Sequence, residues 1–305
     1  MKKFIIDLQM YAGENNELSA RSYQLEFKKM LEAVFAKRAY FGDFFGGGIE
    51  ALDGVQENET AFYVKTSDIP VAVGTGYDKG AAVAMGAGTG STSRFGNRTE
   101  IVYSNTPVQY SWGWNWHEGI DRHTVNTNFD SAVADRLELQ AQAKTKVFNE
   151  HHSKFISGAA VKSEPLADYT ADAVLAVFNN LSEYFTNIEA NGTLKAKVNA
   201  KLYNAIVDHP LTTSGKGSGA NIDDNKILSF KDFEIEKLPA SMFQQGECCY
   251  AYIAGIGKAF TGISTARTIE SEDFDGVAFQ GAGRAGEFVL PANKKAIAKV
   301  TIAGA

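Results

Sequence analysis

The pattern of apolar and polar positions predicts three amphipathic helices. Over about 130–157, apolar residues recur at helical spacing, acidic residues lie near the start, lysines lie toward the end, and Gly158 can stop the helix. Its apolar face comprises Phe129, Val133, Leu137, Ala141, Phe148 and Phe155. The same spacing predicts helices over about 168–189 and 19–38, and Ser19 can cap the latter.

A long, glycine-rich stretch between the predicted helices at 19–38 and 130–157 predicts a β-hairpin. It covers residues 68–116 with a tip near Gly86–Asn97, and a short strand at Ala61–Val64 precedes it. Arms of about 15 residues would reach roughly 50 Å. Because a two-stranded ribbon alone is marginally stable in water, we expect other copies of the chain to stabilise it.

All three tryptophans lie on one alternating segment, Tyr110, Trp112, Trp114 and Trp116. The period of two predicts that the four aromatic side chains share one face of a strand. The strand either faces the core or forms a contact between subunits. A third interpretation is an unrelated carbohydrate- or surface-binding protein that uses the strip for its ligand.

Short strands and turns, such as the Ser- and Gly-rich 213–221, are predicted beyond the second central helix. At the end of the chain, residues 288–290 and 296–302 predict two strands that pair around a turn at Pro291–Asn293. No internal repeat or low-complexity linker is evident. The predicted class is α+β with non-local strand pairing.

Composition narrows the function classes. With 305 residues the chain can form one large domain or two smaller ones, and its net charge of -6 argues against general nucleic-acid binding. A local basic cluster over 21–38 is interpreted as a solvated helix face. The apolar run at residues 4–6 is too short for a signal peptide. Adjacent Cys248 and Cys249 rarely pair, so buried thiols in a reducing cytoplasm are expected.

Two motifs approach a cofactor or phosphate site without completing it. The run Gly281–Gly286 matches the dinucleotide fingerprint, but a strand follows where a helix is required. The glycines at 86–90 resemble a phosphate loop, yet no Gly-Lys-Ser/Thr follows them. We therefore predict no cofactor and no cofactor-binding residues.

The candidate motifs for metal binding and catalysis are also incomplete. His117-Glu118 begins a metalloprotease motif, but Asp121 stands where the second histidine should be. The acidic run 270–276 is interpreted as a solvated loop, because Ala282 occupies the last calcium-ligand position. His151 and His152 point about 100° apart on a helix and cannot share one ion. We predict no catalytic or metal residues and no enzyme.

The order of parts resembles the major capsid proteins of tailed bacteriophages, which have the Hong Kong 97-type shell fold. The amino-acid sequences of several segments are similar to those of capsid proteins of phages of Gram-positive hosts. These segments are 88–90 with 93–96, 118–122, 202–210, 257–262 and 266–271, and the opening 7–12 is similar to a start common among phage structural proteins. The resemblance covers most of the chain.

The resemblance implies an α+β fold in five parts. They are an N-terminal arm (1–55), an extended β-hairpin E-loop with flanking strands (56–116), a P-domain with a long spine helix (117–165), an A-domain (166–270) and C-terminal strands that return to the P-domain (271–305). Some relatives crosslink a lysine to an asparagine. Lys79 lies on the predicted E-loop, but no asparagine partner can be assigned, so this chemistry is not carried over.

The implied function is self-assembly into hexamers and pentamers of an icosahedral phage head that encloses double-stranded DNA. The implied partners are the chain itself, a separate scaffolding protein, portal and head-completion proteins, and packaged DNA bound without sequence specificity, with no membrane. The implied location is the virion, after assembly in the host cytoplasm. The alternative is an encapsulin-like shell of a bacterial nanocompartment.

Overall fold

The computed structural model describes residues 39–52, 60–67, 71, 73, 77, 95, 99–125, 129–213, 218–221 and 226–303. The predicted helix over 19–38, Lys79 and most of the predicted hairpin tip lie outside these residues. The chain divides into two units, which are described separately. One comprises Val55–Gln109, which we call the hairpin unit, and the other comprises Met1–Gly54 with Tyr110–Ala305.

The described part of the chain alternates strands and helices in a mixed order. The strands are β1 (Ile49–Ala51), β2 (Thr60–Thr66), β3 (Ser104–Gln109), β4 (Trp112–Asp121), β5 (Lys162–Leu166), β6 (Leu194–Asn199), β7 (Ser218–Asn221), β8 (Lys226–Phe230), β9 (Phe233–Leu238), β10 (Glu247–Ile253), β11 (Gly257–Glu270), β12 (Gly276–Val289) and β13 (Ile297–Ile302). The helices are α1 (Phe129–Ala159), α2 (Ala171–Asn187), α3 (Ala200–Val207) and α4 (Pro210–Thr213).

Both central helices were predicted from their apolar spacing. The 31-residue helix α1 runs one residue past Gly158, and α2 buries Val174, Phe178 and Leu181. The short helix α3 was missed, because strands and turns were expected there. Its N-cap is Asn199, whose side chain accepts a hydrogen bond from the Leu202 backbone N–H at 2.8 Å, an N-cap signal that the sequence contained.

Seven strands form the larger sheet in the order β5-β13-β10-β6-β9-β8-β7. Every residue of β10 is buried, as expected for a strand covered on both faces. On one face α2 and α3 contribute to an apolar core. On the other, Phe41 and Phe44 pack near Tyr250 and Tyr252, so the segment before β1 covers this part of the sheet.

The smaller sheet, in the order β1-β11-β12-β4, corrects the predicted hairpin. Residues 112–116 do not belong to the return arm, since β4 pairs with Gly276–Ala285 of β12. His117-Glu118, the start of the incomplete metalloprotease motif, lies within β4. The hairpin that the structure describes is formed by β2 and β3. These two strands lie near the two ends of the hairpin unit in the sequence. Alternation alone identifies a strand but not its partner.

The predicted pairing of the last two strands is wrong. A 3-10 helix at Pro291–Ala296 separates β12 from β13, and the two strands enter different sheets. β12 lies between β11 and β4, while β13 lies between β10 and β5. β4 and β5 come from distant parts of the chain, so no local pattern reveals their pairing with β12 and β13.

Candidate functional site

The tryptophans of β4 pack against the long helix α1, and we call this contact the helix–sheet junction. The Trp112 ring lies 4.6 Å from Phe148 and stacks on His151 at 3.9 Å. Lys144 Nζ lies 4.0 Å from the centre of the Trp114 ring. These contacts confirm the core-facing interpretation of the strip.

Tyr110 departs from the predicted strip. It precedes β4, is buried, and packs on Phe260 with 5.5 Å between ring centres. The strand therefore carries three of the four predicted aromatic residues.

The glycine motif of β12 has a packing role at the same junction. Gly281 pairs with Trp116 and Gly283 pairs with Trp114 across the two strands. A Cβ atom at Gly281 would lie 2.3 Å from the Trp116 ring, and one at Gly283 would lie 2.4 Å from the Trp114 ring. The glycines therefore make room for the indoles. Strand, not helix, surrounds the motif, as the sequence indicated.

A buried polar network joins α1 to the smaller sheet at this junction. His152 Nδ1 lies 3.0 Å from a Glu287 carboxylate oxygen, and their side chains are 5% and 3% exposed. Trp112 Nε1 and Ser111 Oγ also donate to Glu287, at 3.0 and 3.1 Å. Burial by itself would raise the pKa of Glu287, but the hydrogen bonds from His152, Trp112 and Ser111 hold it below its ordinary value.

A second network joins the same helix to the larger sheet. Glu247 accepts hydrogen bonds from Ser157 at 2.7 Å, Tyr250 at 2.6 Å and Lys299 at 2.9 Å. Burial acts to raise the pKa of Glu247, and these donors outweigh it and lower the pKa. Burial raises the pKa of the Tyr250 hydroxyl. Helix α1 is thus held to both sheets by buried carboxylates, Glu287 on one side and Glu247 on the other.

A third network fixes the segment before β1. The Lys197 side chain is 2% exposed and its Nζ lies 2.9 Å from Asp43, with Glu236 as a second partner. Asp43 also accepts a hydrogen bond from the Tyr252 hydroxyl at 3.0 Å. Two opposite charges compensate the buried cation, which would otherwise be costly to remove from water.

The acidic run near 270–276 forms the turn between β11 and β12. Its carboxylates are exposed, as expected, and two of them bind Arg122: Glu270 at 2.6 Å and Asp275 at 3.0 Å. The Glu270 hydrogen bond is the main cause of the raised pKa of Arg122. The turn is therefore held to the end of β4 by charge pairing.

The hairpin unit presents apolar side chains to solvent. Tyr63, Ile101, Val102 and Tyr103 are each more than half exposed. The ladder between β2 and β3 is supplemented by the Thr66 hydroxyl, which lies 3.0 Å from the Thr106 hydroxyl. Neighbouring exposed apolar residues of this kind are typical of surfaces that contact another molecule.

The other candidate residues stay apart from any common site. His151 stacks on Trp112 while His152 binds Glu287, so the two rings have different partners. Cys248 and Cys249 are free, buried thiols, and burial raises the pKa of both. Within the described residues, no three His, Cys, Asp or Glu side chains are grouped to hold a metal ion.

The sequence did not reveal the three buried networks. Their only signal was a charged residue within a strand that is otherwise partly apolar: Lys197 in β6, Glu247 at the start of β10 and Glu287 in β12. In the part of the chain that the structure describes, no helix is long and apolar enough to cross a membrane.

Solved structures with the same fold include phage capsids. The bacteriophage PhiM1 mature capsid is 8% identical in sequence, with a TM-score of 0.63 and 88% of each chain covered. The cyanophage P-SCSP1u capsid is also 8% identical, with a TM-score of 0.65 and coverage of 88% of this chain and 89% of that chain.

A virus-like particle from Pyrococcus furiosus is 13% identical, with a TM-score of 0.52 and coverage of 91% of this chain and 99% of that chain. No protein-family model matches the sequence, and no curated protein matches it significantly. The structural likeness establishes the fold class: the chain has the α+β, Hong Kong 97-type fold of phage capsid proteins.

Proposed function

We propose that this chain is the major capsid protein of a tailed bacteriophage, whose copies assemble into the hexamers and pentamers of an icosahedral head around double-stranded DNA. The observation that carries the proposal is a fold shared over 88% of both chains with a mature phage capsid subunit. A likeness that extends through nearly the whole chain favours a shell subunit over a protein that carries one shared motif.

The hairpin unit supports self-assembly on independent physical grounds. Its described apolar residues Tyr63, Ile101, Val102 and Tyr103 are exposed in the single chain. A two-stranded ribbon that buries little of its own surface gains stability when another subunit covers it. We infer that a neighbouring copy packs on this unit.

The five-part division remains our proposal for the roles of the segments. We assign residues 1–55 to the N-terminal arm, 117–165 to the P-domain with α1 as its spine helix, 166–270 to the A-domain, and 271–305 to the strands that return to the P-domain. Within the proposed E-loop segment 56–116, we place residues 112–116 with the P-domain, because they pair with β12.

The remaining features are inferred from the proposed class. We infer a Gram-positive host from the similar segments of the sequence, a location in the virion, and assembly in the host cytoplasm. A separate scaffolding protein, a portal, head-completion proteins and packaged DNA are the inferred partners. The role is structural and non-enzymatic, since the described charged clusters hold elements together.

Sedimentation of the purified protein at several concentrations tests the proposal, with negative-stain electron microscopy of the fast fraction. We expect closed shells or hexamer rings, formed either by the protein alone or after co-expression with the scaffolding protein. A protein that stays monomeric with crowding agents and with the neighbouring gene product would contradict the proposal.

The contents of the shells separate the phage head from the alternative nanocompartment. The fold alone does not separate them, because the alternative is a shell of the same fold. Nuclease-protected double-stranded DNA in particles from infected cells would support a phage head. A protein cargo in place of DNA would support the nanocompartment.

A further inference from the structure

The network around Lys197 places an amine against one oxygen of a carboxyl group. Asp43 Oδ2 lies 2.9 Å from Lys197 Nζ. The other oxygen, Oδ1, accepts hydrogen bonds from the Tyr252 hydroxyl and the Phe44 backbone N–H, each at 3.0 Å. Glu236 is a second carboxylate in contact with Lys197 Nζ. The two oxygens of Asp43 therefore have different surroundings: one faces the amine and the other faces two donors.

The two donors on Oδ1 are arranged as in an oxyanion hole. Donors at this distance stabilise the negative charge that develops on a carboxyl oxygen when an amine adds to its carbon. The Tyr252 hydroxyl remains a donor, because burial and the neighbouring Asp43 carboxylate raise the pKa of Tyr252 well above its ordinary value. The Phe44 N–H is held by a local turn, in which it also donates to the Phe41 carbonyl at 3.1 Å.

Backbone pairing holds the amine and the carboxyl group in place. Lys197 lies in β6 and is aligned with Glu236 of the parallel strand β9. The backbone carbonyl of Asp43 accepts a hydrogen bond from the Gly255 N–H at 2.8 Å. The side chains of Lys197 and Asp43 are 2% and 23% exposed. Two groups that are fixed in contact react far faster than free ones, because the entropy of bringing them together is already lost.

We propose that Lys197 and Asp43 condense to form an isopeptide bond within the chain. The bond between Lys197 Nζ and Asp43 Cγ forms, the bond between Cγ and Oδ2 breaks, and Oδ2 leaves as water. Of the three protons of the ammonium group, one stays on the amide nitrogen and two pass to the leaving oxygen. Glu236 carries these two protons in turn and ends as the carboxylate with which it began. No oxidant, reductant or further reactant takes part.

The bond joins the segment before β1 covalently to the larger sheet. A crosslink between residues far apart in the sequence restricts the unfolded chain, as a disulfide does. Cys248 and Cys249 are free thiols, and an amide, unlike a disulfide, is not cleaved by the thiols of a reducing compartment. The chain modifies itself once and turns over no substrate. The inference concerns a single chain and does not depend on the proposed function.

Intact-mass spectrometry of the purified full-length protein, denatured in guanidinium, tests the proposal. We expect the parent chain to be lighter than its sequence mass by one water molecule. A protease digest should then contain a branched peptide that includes both Lys197 and Asp43. A parent chain at its full sequence mass would overturn the proposal. This measurement needs no substitution, so a folding defect cannot produce the negative result.

Two lysine variants separate the isopeptide bond from other losses of water. Lys197→Arg keeps the positive charge but lacks the reactive amine, and it should have its full sequence mass. A loss of water that persists in this variant comes from another dehydration, such as a cyclic imide at an aspartate, and contradicts the proposal. Lys195→Arg is the matched control, because Lys195 lies on the same strand and contacts Glu234. It should lose water as the parent does, and a full sequence mass here would refute the assignment to Lys197.

The rate of bond formation tests the roles of the neighbouring groups. It is measured as the linked fraction against time after a short pulse of cell-free synthesis. Glu236→Gln removes the proton carrier and should slow the reaction by about 100-fold or more. Tyr252→Phe removes one donor to Oδ1 and should also slow it by about 100-fold or more. If both variants link as fast as the parent, the proposed mechanism is wrong.

Discussion

The helix–sheet junction and the hairpin unit differ in how far their apolar side chains are exposed. At the junction, Phe148 is 2% exposed and packs against Trp112. In the hairpin unit, Tyr103 is 67% exposed. The difference teaches that one region buries its apolar side chains within a single chain, whereas the other leaves them exposed, where we propose that another copy packs. Substitutions should therefore affect folding in the first region and assembly in the second.

The largest loss of stability is expected at the junction core. Phe148→Ala removes a ring packed between Trp112 and His152, and we expect the free energy of unfolding to fall by about 3–5 kcal/mol. Guanidinium unfolding of the subunit measures this. Leu139→Ala on the exposed side of the same helix should change it by less than about 0.5 kcal/mol. Similar losses in the two variants would contradict the comparison.

The buried carboxylate of Glu287 should give the next largest effect. Glu287→Ala leaves His152, Trp112 and Ser111 without their acceptor, and we expect a loss of about 3 kcal/mol at pH 7. The conservative Glu287→Gln variant should lose less, because the amide oxygen still accepts. A change within experimental error for Glu287→Ala would show that the network adds no net stability.

The same carboxylates predict how stability depends on pH. Folding lowers the pKa values of Glu247 and Glu287, so their stabilising effect is complete above the ordinary value of 4.5 and is lost as pH falls through the lowered values. Unfolding measured from pH 6 to pH 2 should show a decline below about 4.5. In Glu287→Gln the decline should be shallower, and an unchanged profile would argue against this linkage.

A smaller loss is expected where β12 passes under the tryptophans. Gly281→Ala places a methyl group against Trp116, and we expect a cost of about 1–3 kcal/mol. Gly158→Ala is the matched control, since its added Cβ meets nothing within 4 Å and alanine favours helix. A Gly281→Ala variant as stable as the parent would show that the rings shift at little cost.

The smallest effect on folding is expected in the hairpin unit. Tyr103→Ser should change the free energy of unfolding of the subunit by less than about 0.5 kcal/mol, because the side chain is largely exposed. The same variant should shift sedimentation from shells toward small oligomers, while Tyr103→Phe keeps the apolar ring and should assemble normally. Normal assembly of Tyr103→Ser would remove this residue from the proposed contact.

The identification of strand partners marks the limit of the sequence interpretation. The alternation of Trp112, Trp114 and Trp116 predicted a strand with one apolar face, and α1 covers that face as expected for a core strand. An alternating pattern does not identify the strand with which a segment pairs. Residues 112–116 were therefore assigned to the hairpin, although they pair with β12. The pairing of the last two strands failed for the same reason.

The sequence by itself determined the elements whose cause is local. Short windows of sequence show the helical spacing of α1 and α2 and the period of two in β4. They also show that the glycines at 86–90 lack the lysine of a phosphate loop and that the run 270–276 lacks the last glutamate of a calcium loop. Only the tertiary structure decided which polar and charged groups are buried together, because His152 and Glu287 are 135 residues apart and Ser157 and Glu247 are 90 apart. The energetic cost of such a charge depends on how deeply it is buried, and its partners come from distant parts of the chain. Neither the burial nor the partners can be inferred from the sequence, because both depend on how the strands and helices pack.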